Sequence, residues 1–166
     1  MNQRIQTLYL ALVLIFSFVG LISTIGTWTV GDDIVAYFSN FTFGADGQFK
    51  SLDTISGPWC LGVLLILVMF LTAISIMLFR KRMRQLRLTI FSTILLAGYV
   101  AVYALFAYYY HLNLVQFSPE QYGWISPIFH IKFGAILPVL SIILNILAIQ
   151  GIRKDEALVR SLDRIR

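Results

Sequence analysis

Charge is what this chain has least of. Asp, Glu, Lys and Arg together make up 13% of its 166 residues, about half the usual ~25% of a soluble domain. A water-soluble fold of this size would have too few polar side chains to cover its surface. Cysteine is nearly missing too. Cys60 stands alone, which excludes a disulfide framework. There is no H-E-x-x-H, no P-loop and no G-x-S-x-G, and Asp, Glu and His do not cluster at hydrolase spacing. What the chain has in excess is apolar surface: 58% hydrophobic residues and a mean hydropathy of +0.81. That excludes disorder and leaves a multi-pass membrane protein.

The scarce charges divide the chain. Uncharged stretches of 27, 26, 32 and 20 residues lie between Arg4 and Asp32, Asp53 and Arg80, Arg87 and Glu120, and Lys132 and Arg153. A spanning helix needs about 20 apolar residues, so each stretch can hold one. The expected helices are Thr7–Thr27, Pro58–Phe79, Leu88–Tyr110 and Pro127–Ile152. Unbroken runs such as Leu61–Phe70 argue against the alternating pattern of a membrane barrel. The first stretch is longer than a signal-peptide core and has no A-x-A-like cleavage site, so it reads as a retained helix. The expected fold class is an all-α membrane protein, a four-transmembrane-helix bundle forming one domain over residues 1–166.

Orientation follows from the cations. Arg4, the Arg80–Arg87 cluster and the Arg153–Arg166 tail hold eleven of the 13 basic residues. Only Lys50 and Lys132 fall on the other side. The positive-inside rule then places both termini in the cytoplasm. This asymmetry also accounts for the net charge of +5, and no nucleic-acid footprint is read. Trp28, Trp59, Trp124 and Tyr108–Tyr110 fall near the outer helix ends and read as an interfacial belt. Gly57 before Pro58, and Ser126 before Pro127, read as N-caps followed by proline in the first helical turn. Pro138 should kink the fourth helix.

The outer loop over 29–56 carries a β-branched and aromatic flank, Ile34–Phe43. A Gly44-Ala45-Asp46-Gly47 turn and a second flank, Gln48–Leu52, follow it. This predicts an extracytoplasmic β-hairpin, which must pack on something to be stable. Asp32 and Asp33 read as solvated carboxylates, since calcium needs about six to eight oxygens. Asn40-Phe41-Thr42 matches an N-glycosylation acceptor.

Ionisable groups inside spans mark pumps and ion paths; the central parts of these four contain none. Their hydroxyls can bond the preceding turn of their own helix. Asn145 lies deeper and is expected to bond a neighbouring helix. Ala97, Ala101 and Ala104 form a small-residue stripe suited to close helix packing.

Two groups of residues are candidate sites. His111, His130 and Lys132 all fall near the outer interface, where they could converge on haem, a quinone or a lipid headgroup. The second is cytoplasmic. Leu158, Leu162 and Ile165 follow helical spacing, and Glu156 and Arg160 form a favourable i,i+4 pair. With both ends of a bundle inside, Arg4 and Gln6 are expected to meet the segment from Asp155 onward. They would form a docking patch with Asp155, Glu156, Leu158, Leu162 and Ile165.

The order helix, hairpin, helix, basic turn, helix, loop, helix resembles claudin-like four-helix proteins, with Trp59-Cys60 after the long first loop. The second cysteine of that signature is missing, and only the architecture is implied. The termini resemble a different family. Gln3–Leu10 is similar to its opening motif. Ile152–Arg166, around Lys154-Asp155-Glu156 and Leu158-Val159-Arg160-Ser161, is similar to its closing one. These are short four-helix membrane proteins of Bacteroidota, classed as a domain of unknown function. The resemblance implies a bacterial inner membrane and supplies no activity, cofactor or site residues.

The leading reading is a non-catalytic inner-membrane scaffold or accessory subunit. It needs no cofactor, sits in the lipid bilayer and partners another membrane protein or itself. The alternative is a haem-, quinone- or lipid-binding module using His111, His130 and Lys132.

Overall fold

The structure, a computed structural model, describes residues 3–31, 33–45, 57–78, 82–117 and 127–163. In chain order its elements are α1 (Gln3–Ile22), β1 (Gly26–Val30), β2 (Asp33–Phe38), β3 (Phe43–Ala45), α2 (Trp59–Met77), α3 (Arg82–Phe117), β4 (Ile128–Ile131) and α4 (Phe133–Asp163). All four helices contain windows long and apolar enough to cross a membrane.

The helices close into a ring in which α1 packs on α4 and α2, and α3 completes the circuit between them. Leu10, Val13, Leu61, Leu65, Val68 and Leu96 fill its interior, and small polar side chains are buried there too. Ser17, Thr72, Ser75, Thr89, Ser92 and Ser141 are buried inside. Phe18, Phe70, Phe91, Ile94 and Leu105 point outward, each at least half exposed. In water so large an apolar surface would drive aggregation. It suits hydrocarbon and suggests a membrane protein. The interior hydroxyls mostly answer one another. Thr72 and Ser92 lie 3.2 Å apart, Ser75 and Thr89 3.1 Å. Asn145 Nδ2 donates to Ser92 Oγ across 3.3 Å, the inter-helix bond expected of it.

Several boundaries differ from those expected. α1 stops at Ile22 rather than Thr27, because Gly26-Thr27-Trp28-Thr29-Val30 is a strand. Absence of charge marks a stretch that could span; its β-branched and aromatic residues favour a pleated surface. α3 runs 36 residues, well beyond Leu88–Tyr110 at both ends. Met83, Gln85 and Leu86 are good helix formers, and no proline intervenes before Pro119. At about 1.5 Å per residue it reaches about 54 Å, far more than the ~30 Å of hydrocarbon. α4 starts at Phe133, since Ile128–Ile131 is a strand following Pro127. Pro58 is itself the N-cap of α2 and offers no side-chain bond, so the capping role expected of Gly57 is not seen. Ser126 lies outside the described residues.

The expected hairpin is replaced by a four-stranded antiparallel sheet, in the order β3-β2-β1-β4. Gly44 and Ala45 lie within β3 instead of forming the turn, and Asp46–Leu52 fall outside the described residues. The chain reverses instead at Gly31, whose φ of 63° suits glycine. It reverses again over Ser39–Thr42, where the Ser39 amide donates to the Thr42 carbonyl at 2.9 Å.

This sheet stands on the part of α3 that outruns the span. Trp28, Phe38, Phe43 and Phe129 form one face, and Tyr110 of α3 packs into it. The Tyr110 ring stacks on Phe43 at 4.1 Å between centroids. Trp28 and Tyr110 are therefore core residues, fully buried, not members of an interfacial belt. Tyr108, Tyr109 and Trp59 do point outward. Trp124 lies outside the described residues.

Asn40 joins this head to the bundle. Its side chain has no exposed surface. Its Nδ2 donates to the carbonyls of Gly20 and Leu21 at 2.8 and 3.2 Å. Its Oδ1 accepts from the Tyr99 hydroxyl at 2.7 Å. Its own carbonyl accepts from the Gly62 amide at 3.2 Å. A glycan at Asn40 is ruled out by this burial. Asn40→Ala should strand the Tyr99 hydroxyl and two carbonyls, at about 1–3 kcal/mol for each group left buried without a partner. Thermal unfolding in detergent should therefore show Asn40→Ala far less stable than Tyr99→Phe, which strands only Oδ1. Equal midpoints for the two variants would contradict the assignment.

Candidate functional site

Chemistry-bearing residues gather at the two ends of the ring. At the end that carries the termini, α1 and α4 meet side by side. Ala148, Ile152 and Asp155 recur along α4 at helical spacing and are buried. Gln6 of α1 is buried opposite them, and its Nε2 donates to Asp155 Oδ2 at 2.7 Å. Desolvating a carboxylate is costly unless it is hydrogen-bonded, and the Gln6 amide meets that need. Arg153 and Lys154 are exposed beside it. The structure thus brings together two members of the expected docking patch, Gln6 and Asp155. Arg4, Glu156, Leu158 and Leu162 lie on the helical backbone, but their side chains fall outside the described residues. Ile165 falls outside them altogether.

Helix α4 does not stop at Asp155. It continues to Asp163, beyond the apolar window Phe133–Asp155. At about 1.5 Å per residue, its 31 residues make about 46 Å of helix, so one end projects past any ~30 Å slab. Asp155 sits at the root of that projection.

At the opposite end, the structure does not gather the two histidines. Phe129 packs on Trp28, on the face that meets α3. His130 must point to the other face, and its Nε2 lies 3.0 Å from Thr29 Oγ1 there. His111 sits within α3, six positions before the helix ends at Phe117, with Nδ1 buried. The helix that carries His111 thus packs on one face of the sheet, and His130 lies on the other. Lys132 is exposed where β4 gives way to α4. Among the described residues, no group of three or more His, Cys, Asp or Glu side chains is placed to hold a metal ion.

The residues that fix this architecture were hard to single out beforehand. Asn40 was visible only through a glycosylation triplet. Tyr99 lies among many aromatics of the third apolar stretch. The usable signal was the cost of an amide within an otherwise apolar segment.

Separation of the histidines has a spectroscopic consequence. Protein purified from haem-replete cells should show no Soret band. His130→Ala should cost no more than about 0.5 kcal/mol, as befits an exposed bond. A Soret band that vanishes in His130→Ala would contradict this geometry.

Among curated proteins no match is found. A family model described as "Domain of unknown function (DUF4293)" matches residues 2–165. The match takes in all four helices, the sheet and both partners of the Gln6–Asp155 bond, and the chain belongs to this family.

Proposed function

We propose that the protein is a non-catalytic, multi-pass component of a bacterial inner membrane, acting as a scaffold or accessory subunit. The observation that carries this reading is the projecting end of α4. A helix that leaves the span as one piece, with its root held by the Gln6–Asp155 bond, presents a rigid arm to a partner. A rigid arm loses less conformational entropy on docking than a loose tail does. The apolar outer surface of the bundle supports a role within the bilayer. Its interior hydroxyls bond chiefly to one another and to backbone carbonyls, as packing between helices requires.

In this reading both termini and the arm are cytoplasmic and the sheet is extracytoplasmic, following the basic residues. The resemblance of both termini to Bacteroidota proteins supports a bacterial inner membrane. The partner is another membrane protein or a second copy of this chain.

Two experiments test the reading. Reporter fusions after Arg84 and at Arg166 should score cytoplasmic, and one after Asp46 periplasmic; a cytoplasmic score at Asp46 would sink the orientation. The second separates the arm from its root. Truncation after Glu156 keeps Asp155 and should leave thermal stability within about 0.5 kcal/mol of wild type. It should also remove any complex captured in mild detergent. Asp155→Ala leaves the Gln6 amide buried without this acceptor and should cost about 1–3 kcal/mol. A truncated chain that unfolds as readily as Asp155→Ala, or keeps its complexes, would show the arm is no docking element.

A further inference from the structure

Where α1 leaves the bundle and α4 begins, the chain leaves an open groove of 620 Å³. Thr24 and Thr27 line it beside Tyr37 of β2, and Lys132 and Phe133 close the far side. The groove is a built feature. Gly134 brings α4 so close to the end of α1 that an added Cβ would lie 2.5 Å from the Thr24 carbonyl oxygen. The Lys132 amide donates to the Ile25 carbonyl at 2.9 Å, which fixes that lysine's backbone at the rim. Among the described residues that line the groove, Lys132 carries the charge and none is acidic.

Its level matters as much as its charge. The apolar windows of the two flanking helices end at Ile22 and begin at Phe133, so the groove opens where hydrocarbon gives way to headgroups. Ile22 and Phe133 belong to its wall and are 72% and 64% exposed. The groove is therefore polar and cationic toward the sheet and apolar toward the bundle. A lysine at this depth keeps its ammonium among headgroups while its stem lies along apolar surface.

We propose that this groove holds one anionic phospholipid, with its phosphate on Lys132, its headgroup against Thr27 and Tyr37, and its acyl chains descending past Ile22 and Phe133. The proposal rests on the chain spanning a membrane and is independent of the docking arm. A free phosphate would share the contact with Lys132 but would leave the apolar wall unused.

Native mass spectrometry decides the matter. Protein in an uncharged detergent, stripped of lipid, is offered equal amounts of phosphatidylglycerol and phosphatidylcholine. Wild type should retain one phosphatidylglycerol with a preference of about fivefold, the effect of one lysine near an anionic headgroup. Lys132→Arg should keep that preference and Lys132→Ala should fall to parity. Excess water-soluble glycerophosphate should displace nothing. Parity in wild type, or an unchanged preference in Lys132→Ala, overturns the proposal. Displacement by glycerophosphate overturns the lipid as occupant. Recovery of the chain from cells without detergent would overturn the membrane reading and this proposal with it; the other outcomes touch the groove alone.

Discussion

Asn40 meets three helices with one buried carboxamide and its own carbonyl. α1 ends at Ile22, so the carbonyls of Gly20 and Leu21 have no partner further along the helix. α2 begins at Trp59, and the Leu61 amide takes the Pro58 carbonyl that would ordinarily serve the Gly62 amide. Beside hydrocarbon, an unsatisfied backbone group of this kind costs several kcal/mol. Asn40 answers all three groups and takes the Tyr99 hydroxyl as well. The sheet follows from that tie. Two residues before Asn40, the Phe38 carbonyl accepts from Ile25, and the Ile25 carbonyl accepts from Lys132, where α4 is about to begin. A short ladder of bonds therefore sets where α1 stops and where α2 and α4 start.

The rest of the architecture is a matter of lengths. α3 outruns the span on the sheet side, and its Tyr110 becomes the post around which Trp28, Phe38 and Phe43 assemble. α4 outruns it on the opposite side and becomes an arm. Between them the bundle interior combines buried aliphatic side chains with hydroxyl and amide bonds between helices. The head thus has the packing of a small soluble domain, while the bundle below it is apolar outside as well as inside.

Much of this was legible in the sequence, and the remainder was hidden for physical reasons. Four long uncharged stretches announced four helices apolar enough to cross a membrane. Apolar character alone does not separate a strand from the helix beside it. Gly26 and Thr27 of β1, and all of Ile128–Ile131, therefore fall within the expected first and fourth helices. Their pairing in one sheet is a contact between residues about a hundred positions apart, and no local pattern encodes it. The turn expected at Gly44–Gly47 was a reasonable reading of glycine, but the tie made by Asn40 selects an earlier reversal. Of the candidate sites, the meeting of Gln6 with the segment from Asp155 could be expected from the parity of four spans, which returns both termini to one side. The convergence of His111 and His130 could not be judged, because it depended on which face of an unforeseen strand His130 would occupy.

Hydrogen exchange on the protein in lipid nanodiscs tests most directly whether the head and bundle are one body. First-turn amides of a helix ordinarily exchange readily. The Gly62 amide and those of the β1–β2 pair should instead exchange as slowly as mid-span amides of α2, through one common opening. A sheet and first turn of α2 that exchange orders of magnitude faster than the spans would show a loosely attached head, and would contradict the central place given to Asn40.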